Sequence, residues 1–248
     1  MPHVYNQGVR IHYQVKGEGR PLVLQHGFTD SLESWYEMGY VDALKNDYKL
    51  IAVDARGHGA SDKPHEPTAY THERHVADLV AVLDALTLPT AHFFGYSMGG
   101  RIGFALAKYA PTRFSSFIIG GATPYQVNRE RWLQMIKRGP ESLVAAWDGA
   151  VSPALRARLL ANDIEAMAAS WVGRMENSDL EDVLPTMRKP CLVLVGEADG
   201  AYPRVKECAT HMPNVMFVSF PGLKHSETFF HSDLVLPHVM RFLATVAH

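Results

Sequence analysis

Short apolar runs alternate along this chain with segments whose apolar residues recur three or four positions apart. The runs at 9–15, 22–25, 49–53, 91–94, 116–119, 191–195 and 215–220 have the length and composition of strands. Several are apolar at consecutive positions, as strands covered on both faces are. Segments 32–44, 70–86, 101–109, 204–211 and 233–246 show the helical period. Strands alternating with helices predict an α/β fold, with a mostly parallel central sheet flanked by helices on both faces.

One interval breaks the rhythm. From 123 to 185 there are helical patterns and no convincing strand, over a length far beyond an ordinary connection. This predicts an inserted helical cap at 123–185 on a core domain built from 1–122 and 186–248. Its apolar residues include Trp132, Met135, Ile136, Trp147, Met167, Trp171 and Met175. Most such side chains pack helix on helix, but Trp132, Ile136, Trp147 and Trp171 are the candidates for lining a substrate pocket beneath the cap. Arg131, Lys137 and Arg138 read as a solvated helix face rather than as a carboxylate site.

Composition narrows the class. With 248 residues and 47% hydrophobic content the chain suffices for one large core. A net charge of -2 with no basic stripe gives no reason to expect nucleic acid or an anionic membrane as partner, so a small-molecule substrate is expected. The start is polar, and no apolar run approaches a membrane span, which predicts a cytoplasmic location. Cys191 and Cys208 have no paired spacing for a disulfide or zinc site and read as buried, inert thiols.

The most chemical feature is Gly95-Tyr96-Ser97-Met98-Gly99, one serine between two glycines where the run 91–94 hands over to the helix 101–109. A nucleophilic serine must stand clear of its neighbours, near a base and near backbone donors. A tight strand-to-helix turn provides this, but it strains the serine and brings backbones together, so the positions two before and two after it must be small. Such a serine needs a base, and the base needs a carboxylate to orient it. In a parallel sheet these groups gather beyond the carboxyl ends of strands. Among thirteen histidines, His225 follows the last strand directly through Pro221-Gly222-Leu223-Lys224, with His231 as runner-up. Beyond the run 191–195, the loop Gly196-Glu197-Ala198-Asp199-Gly200 offers two acids, of which Asp199 is favoured and Glu197 is the alternative. The loop after 116–119 is Gly120-Gly121, without an acid.

The oxyanion donors are expected to be two backbone amides, one on Met98 and one on Phe28, in the turn His26-Gly27-Phe28 after the run 22–25. The segment 54–62, Asp-Ala-Arg-Gly-His-Gly-Ala-Ser-Asp, has neither the phosphate-loop pattern nor a metal-ligand set, and reads as a loop stapled by Asp54 and Arg56.

Taken together, these motifs resemble the α/β-hydrolase superfamily in its single-domain esterase and lactonase branch, over nearly the whole chain. The resemblance implies Ser97 as nucleophile, His225 as base, Asp199 as orienting acid, the Phe28 and Met98 amides as oxyanion hole, and no cofactor. Serine at the elbow is unlike the haloalkane dehalogenases and epoxide hydrolases. The single glycine after His26 is unlike the HGGG-type esterases, and Gly27-Phe28-Thr29-Asp30 lacks the glycine-proline-glycine run of carbon–carbon bond hydrolases. The expected activity is hydrolysis of a small or medium carboxylic ester or lactone through an acyl-enzyme. It requires neutral His225, so kcat/KM is expected to fall on the acidic side of neutrality. Two alternatives remain: cofactor-free perhydrolase or haloperoxidase-type chemistry at the same triad, and a slow-turnover ligand receptor that retains it.

Overall fold

The computed structural model describes residues 2–125, 129–147, 150–176 and 180–246. The first strands are β1 (His3–Asn6), β2 (Val9–Lys16) and β3 (Arg20–Gln25), followed by short helices α1 (Glu33–Glu37) and α2 (Tyr40–Leu44). Next come β4 (Tyr48–Val53), α3 (His72–Ala85), β5 (Ala91–Tyr96), α4 (Met98–Tyr109) and β6 (Phe114–Gly120). Four helices follow: α5 (Arg129–Lys137), α6 (Pro140–Ala145), α7 (Pro153–Leu160) and α8 (Ile164–Glu176). The chain then returns through β7 (Cys191–Gly196), α9 (Tyr202–Thr210), β8 (Val215–Phe220), α10 (His225–Phe230) and α11 (Ser232–Thr245).

The eight strands form one sheet in the order β1-β2-β4-β3-β5-β6-β7-β8. Pairing is antiparallel from β1 to β2 and from β2 to β4, and parallel from β4 through β8. Successive strand side chains point to opposite faces, and the apolar runs accordingly feed two cores. Val23, Phe93, Val193 and Val195 pack on one face with Leu79 and Val82 of α3, Ile102 of α4 and Val205 of α9. Leu22, Leu24, Phe94, Leu192 and Leu194 pack on the other with Trp35 of α1, Tyr40 of α2 and Val239 and Phe242 of α11. This double coverage is why the central strands read as continuous apolar runs.

Several boundaries differ from the sequence expectation. The helix expected at 32–44 is broken at Gly39, which adopts φ 78° and separates α1 from α2. The polar start contains β1, whose pairing with β2 is set by the turn at Gln7 (φ 51°) and Gly8 (φ 80°) rather than by its own hydrophobicity. The expected terminal helix is preceded by the short α10, which begins at His225. Between β6 and β7 the described residues contain helices and a 3-10 turn at Glu181–Thr186, and no strand. Both cysteines are buried, and burial raises each thiol, Cys208 to about 12. Among the described residues no helix is long and apolar enough to cross a membrane.

Candidate active site

The site is built at the carboxyl ends of β3, β5 and β7 and in the turn after β8. Ser97 stands alone between β5 and α4 with φ 55° and ψ -110°, a positive-φ conformation that side chains disfavour. Its N–H donates to the Gly120 carbonyl at 2.7 Å, which pins the turn to β6. The flanking glycines are required by close approach. A Cβ on Gly95 would lie 2.3 Å from the Gly99 oxygen, and one on Gly99 would lie 2.1 Å from the Gln25 oxygen at the end of β3.

His225 opens α10, and its Nε2 lies 2.9 Å from Ser97 Oγ. Its Nδ1 lies 2.7 Å from Asp199 Oδ2. The other Asp199 oxygen accepts the Ala201 N–H at 2.8 Å, so both sides of the carboxylate are engaged. Burial raises the Asp199 carboxyl, but the hydrogen bond and charge of His225 and the Ala201 N–H outweigh it and hold the group below its ordinary range. A Cβ on Gly196 would lie 2.1 Å from the Leu223 oxygen, so this glycine lets the loop after β8 close against the end of β7 and bring His225 to Asp199. Gly121, with φ 58°, clears room for the imidazole: a Cβ there would lie 2.9 Å from His225 Cε1. Tyr96 donates its hydroxyl to the His225 carbonyl at 2.7 Å.

The alternatives weighed from sequence lie elsewhere. Glu197 is exposed and accepts from Ser219 Oγ at 2.8 Å. His231 is exposed at the start of α11, 3.6 Å from Asp233.

Ser97, His225, Phe28 and Met98 all line one cavity of about 480 Å³. Met98 is the first residue of α4, where helix N–H groups lack intrahelical partners. Phe28 follows Gly27, whose position would put a Cβ 3.5 Å from Ser97 Cβ, so the turn passes directly beside the serine. Thr29 completes that turn with φ 70°.

Of the residues expected to line a pocket, Trp132, Trp147 and Trp171 do so. Ile136 does not. It is fully buried against Leu143, Met167 and Trp171, and its neighbour Met135 faces the cavity instead, one residue being a turn of about 100° on a helix. The side chain of Met175 lies outside the described residues. Arg131, Lys137 and Arg138 are exposed, as a solvated face requires.

Sequence reasoning passed over Tyr96, Arg101 and Arg174, which also line the cavity. Tyr96 sits inside the elbow motif itself. Each arginine sits in a helix among apolar residues, and the available signal was its place on the apolar side of the helix: Arg101 is 6% and Arg174 2% exposed. The loop after β4 is stapled as expected. Asp54 accepts from the N–H groups of Leu32 (2.8 Å) and Ala60 (2.9 Å) and meets His12 Nδ1 at 2.8 Å. Arg56 grips Asp78 of α3 through two bonds of 2.6 Å.

Comparison with known proteins agrees with this architecture. A family model described as alpha/beta hydrolase fold matches residues 20–213. A Bacillus subtilis (strain 168) protein, provisionally named 2-succinyl-6-hydroxy-2,4-cyclohexadiene-1-carboxylate synthase, is 33% identical over 190 residues, 71% of this chain and 66% of that protein. The pimeloyl-[acyl-carrier protein] methyl ester esterase of Xanthomonas campestris pv. campestris (strain B100) is 29% identical, covering 95% of this chain and 100% of the esterase. The crystal structure of the enol-lactonase from Burkholderia xenovorans LB400 superposes with a TM-score of 0.89 at 24% identity, covering 98% of this chain and 100% of that one.

Proposed function

The chain belongs to the α/β hydrolase family, and from that footing we propose that it is a serine hydrolase of small or medium carboxylic esters or lactones. One observation carries the reading: a serine in a strained turn lies 2.9 Å from a histidine that lies 2.7 Å from a buried carboxylate, all beside an apolar cavity. The match to the pimeloyl methyl ester esterase, which runs the length of both chains, supports carboxylic ester chemistry in particular.

Ser97 Oγ attacks the ester carbonyl while His225 Nε2 takes its proton. Asp199 holds the imidazole through Nδ1 and stabilises the imidazolium that forms. The amides of Phe28 and Met98 receive the developing oxyanion. Collapse expels the alcohol with the proton from His225, leaving an acyl group on Ser97. Water, deprotonated by His225, then attacks the acyl carbon and releases the acid. The chemistry calls on no cofactor.

Residues 123–185 act as a cap on a core formed by 1–122 and 186–248. Support comes from the cavity walls, since Trp132, Met135, Trp147 and Trp171 face Ser97 and His225 across the same space.

Turnover of p-nitrophenyl butyrate by the wild type and by Ser97→Ala tests the reading, together with mass spectrometry of the peptide labelled by a fluorophosphonate. Loss of turnover and a label on Ser97 are expected. Retention of most of the activity by Ser97→Ala overturns the mechanism.

A further inference from the structure

Two arginines of this protein that are withdrawn from solvent, one buried and one half-buried, are neutralised by carboxylates. Arg56, 1% exposed, holds both oxygens of Asp78, and Arg158 pairs with Asp30 and Glu37. Arg174 on α8 differs. It is 2% exposed, its Nε donates to the Ser170 carbonyl at 3.2 Å, and its Nη2 is buried with no hydrogen-bond partner. Among the described residues no carboxylate lies within ion-pair distance of it. Its guanidinium lies 4.8 Å from the centre of the Phe28 ring and 5.6 Å from that of Trp171. Ring faces attract a cation, but by far less than the cost of taking an unpaired charge out of water.

Arg174 lines the cavity that holds Ser97 and His225, and so does Arg101. Arg101 lies one helical turn after Ser97, whose carbonyl accepts its N–H at 3.0 Å, and its Nη1 donates to the carbonyls of Thr123 (2.9 Å) and Tyr125 (2.7 Å). Burial, and then the like charge of Arg101, bring the Arg174 guanidinium down to about 9; burial brings Arg101 to about 10. The cavity's own acids are committed elsewhere. Asp30 accepts from the Ser31 N–H and from Arg158, and Asp199 holds His225. His58, His72 and His75, which sense the charge of Arg174, are kept neutral chiefly by burial, His72 being pushed down to about 3. A second donor in the same wall, the indole N–H of Trp147, is also buried without a partner.

We propose that the substrate hydrolysed at Ser97 carries a free carboxylate, and that Arg174 binds it, with Arg101 adding a second positive charge to that wall. The proposal rests on the reading of Ser97 as nucleophile and names its substrate class: acidic esters or lactones, such as monoesters of dicarboxylic acids. A carboxylate suits the geometry of a guanidinium and supplies a counter-charge that Arg174 lacks among the described residues. The apolar remainder of the cavity suits the chain that joins this carboxylate to the scissile carbonyl.

Monomethyl and dimethyl adipate differ in one negative charge and test the proposal directly. The wild type is expected to favour the monoester in kcat/KM by roughly 10- to 100-fold, and Arg174→Gln to lose most of that ratio. Binding to Ser97→Ala, followed by calorimetry, separates recognition from chemistry: tighter binding of the monoester, lost in Ser97→Ala/Arg174→Gln, supports the site whether or not Ser97 is the nucleophile. A wild-type ratio near one overturns the proposal. So does an Arg174→Gln protein that loses both esters equally and melts at a lower temperature, as a purely structural cation over two rings would require. Should Arg174→Gln not fold, Arg174→Lys, which keeps the charge but loses the fork, is expected to retain part of the ratio; an unaltered ratio in Arg174→Lys counts against the bidentate site.

Discussion

Tyr96 donates its phenolic hydrogen to the backbone carbonyl of His225 at 2.7 Å, so the residue before the elbow serine also holds the histidine opposite it. Tyr96→Phe removes this bond and leaves the carbonyl of His225 without that donor. A loss of one such bond is worth about 1 kcal/mol, or roughly fivefold. We expect kcat for a simple ester to fall by about that factor with KM changed less, measured by steady-state kinetics.

The backbone at Ser97 is a reservoir of strain, because φ 55° with ψ -110° suits glycine far better than serine. Ser97→Gly and Ser97→Ala should both be inactive, yet differ in stability. Ser97→Gly is expected to be more stable than Ser97→Ala by about 1 kcal/mol in urea denaturation. Equal midpoints would show that the turn carries no such strain.

The closeness of the elbow to β3 predicts the opposite response two residues on. In Gly99→Ala the new methyl would meet the Gln25 oxygen, which is backbone and cannot move aside alone. A destabilisation of roughly 1–3 kcal/mol or more is expected from the same denaturation measurement, with loss of activity.

Asp199 links the site to pH. Its carboxyl is held below the ordinary range in the folded protein, so its charge contributes stability above the unfolded value of about 4. That contribution is lost as pH falls through the lower folded value. Asp199→Asn should therefore flatten part of the acid limb of a melting-temperature profile below about pH 4, while reducing kcat by about three to four orders of magnitude at neutral pH. An unchanged acid limb would mean that other carboxylates dominate it.

The ion pair of Arg56 and Asp78 joins the loop after β4 to α3. Asp78→Asn leaves a buried guanidinium without its counter-charge and is expected to cost about 3–5 kcal/mol, read as a lower melting temperature.

Ser97, Asp199 and His225 were legible because each follows an apolar run directly, and a parallel sheet converts that order into proximity. The same logic could not find β1. Its four residues are mixed in polarity and alternate between exposed and half-buried, with only Val4 packing on the core, and what makes them a strand is the edge of β2, a relationship between segments rather than a property of either. Gly39 was equally silent, since helical spacing continues through it while the backbone does not. Arg101 and Arg174 were missed because an arginine in a helix is normally solvated; their place on the apolar side of each helix hinted otherwise, and the walls around them show that both are buried. Ile136 failed for a smaller reason: periodicity identifies the apolar side of α5 but does not say which of two neighbours on it meets the cavity.

Gly121 has a further consequence for what this scaffold can become. The space its missing side chain leaves beside the end of β6 is occupied by the His225 ring. An acid grafted at that position would evict the imidazole it was meant to orient, and it would also have to tolerate φ 58°. The carboxylate that meets His225 thus sits on the loop after β7, and moving it to the end of β6 would require rebuilding the path of the chain there rather than exchanging two residues.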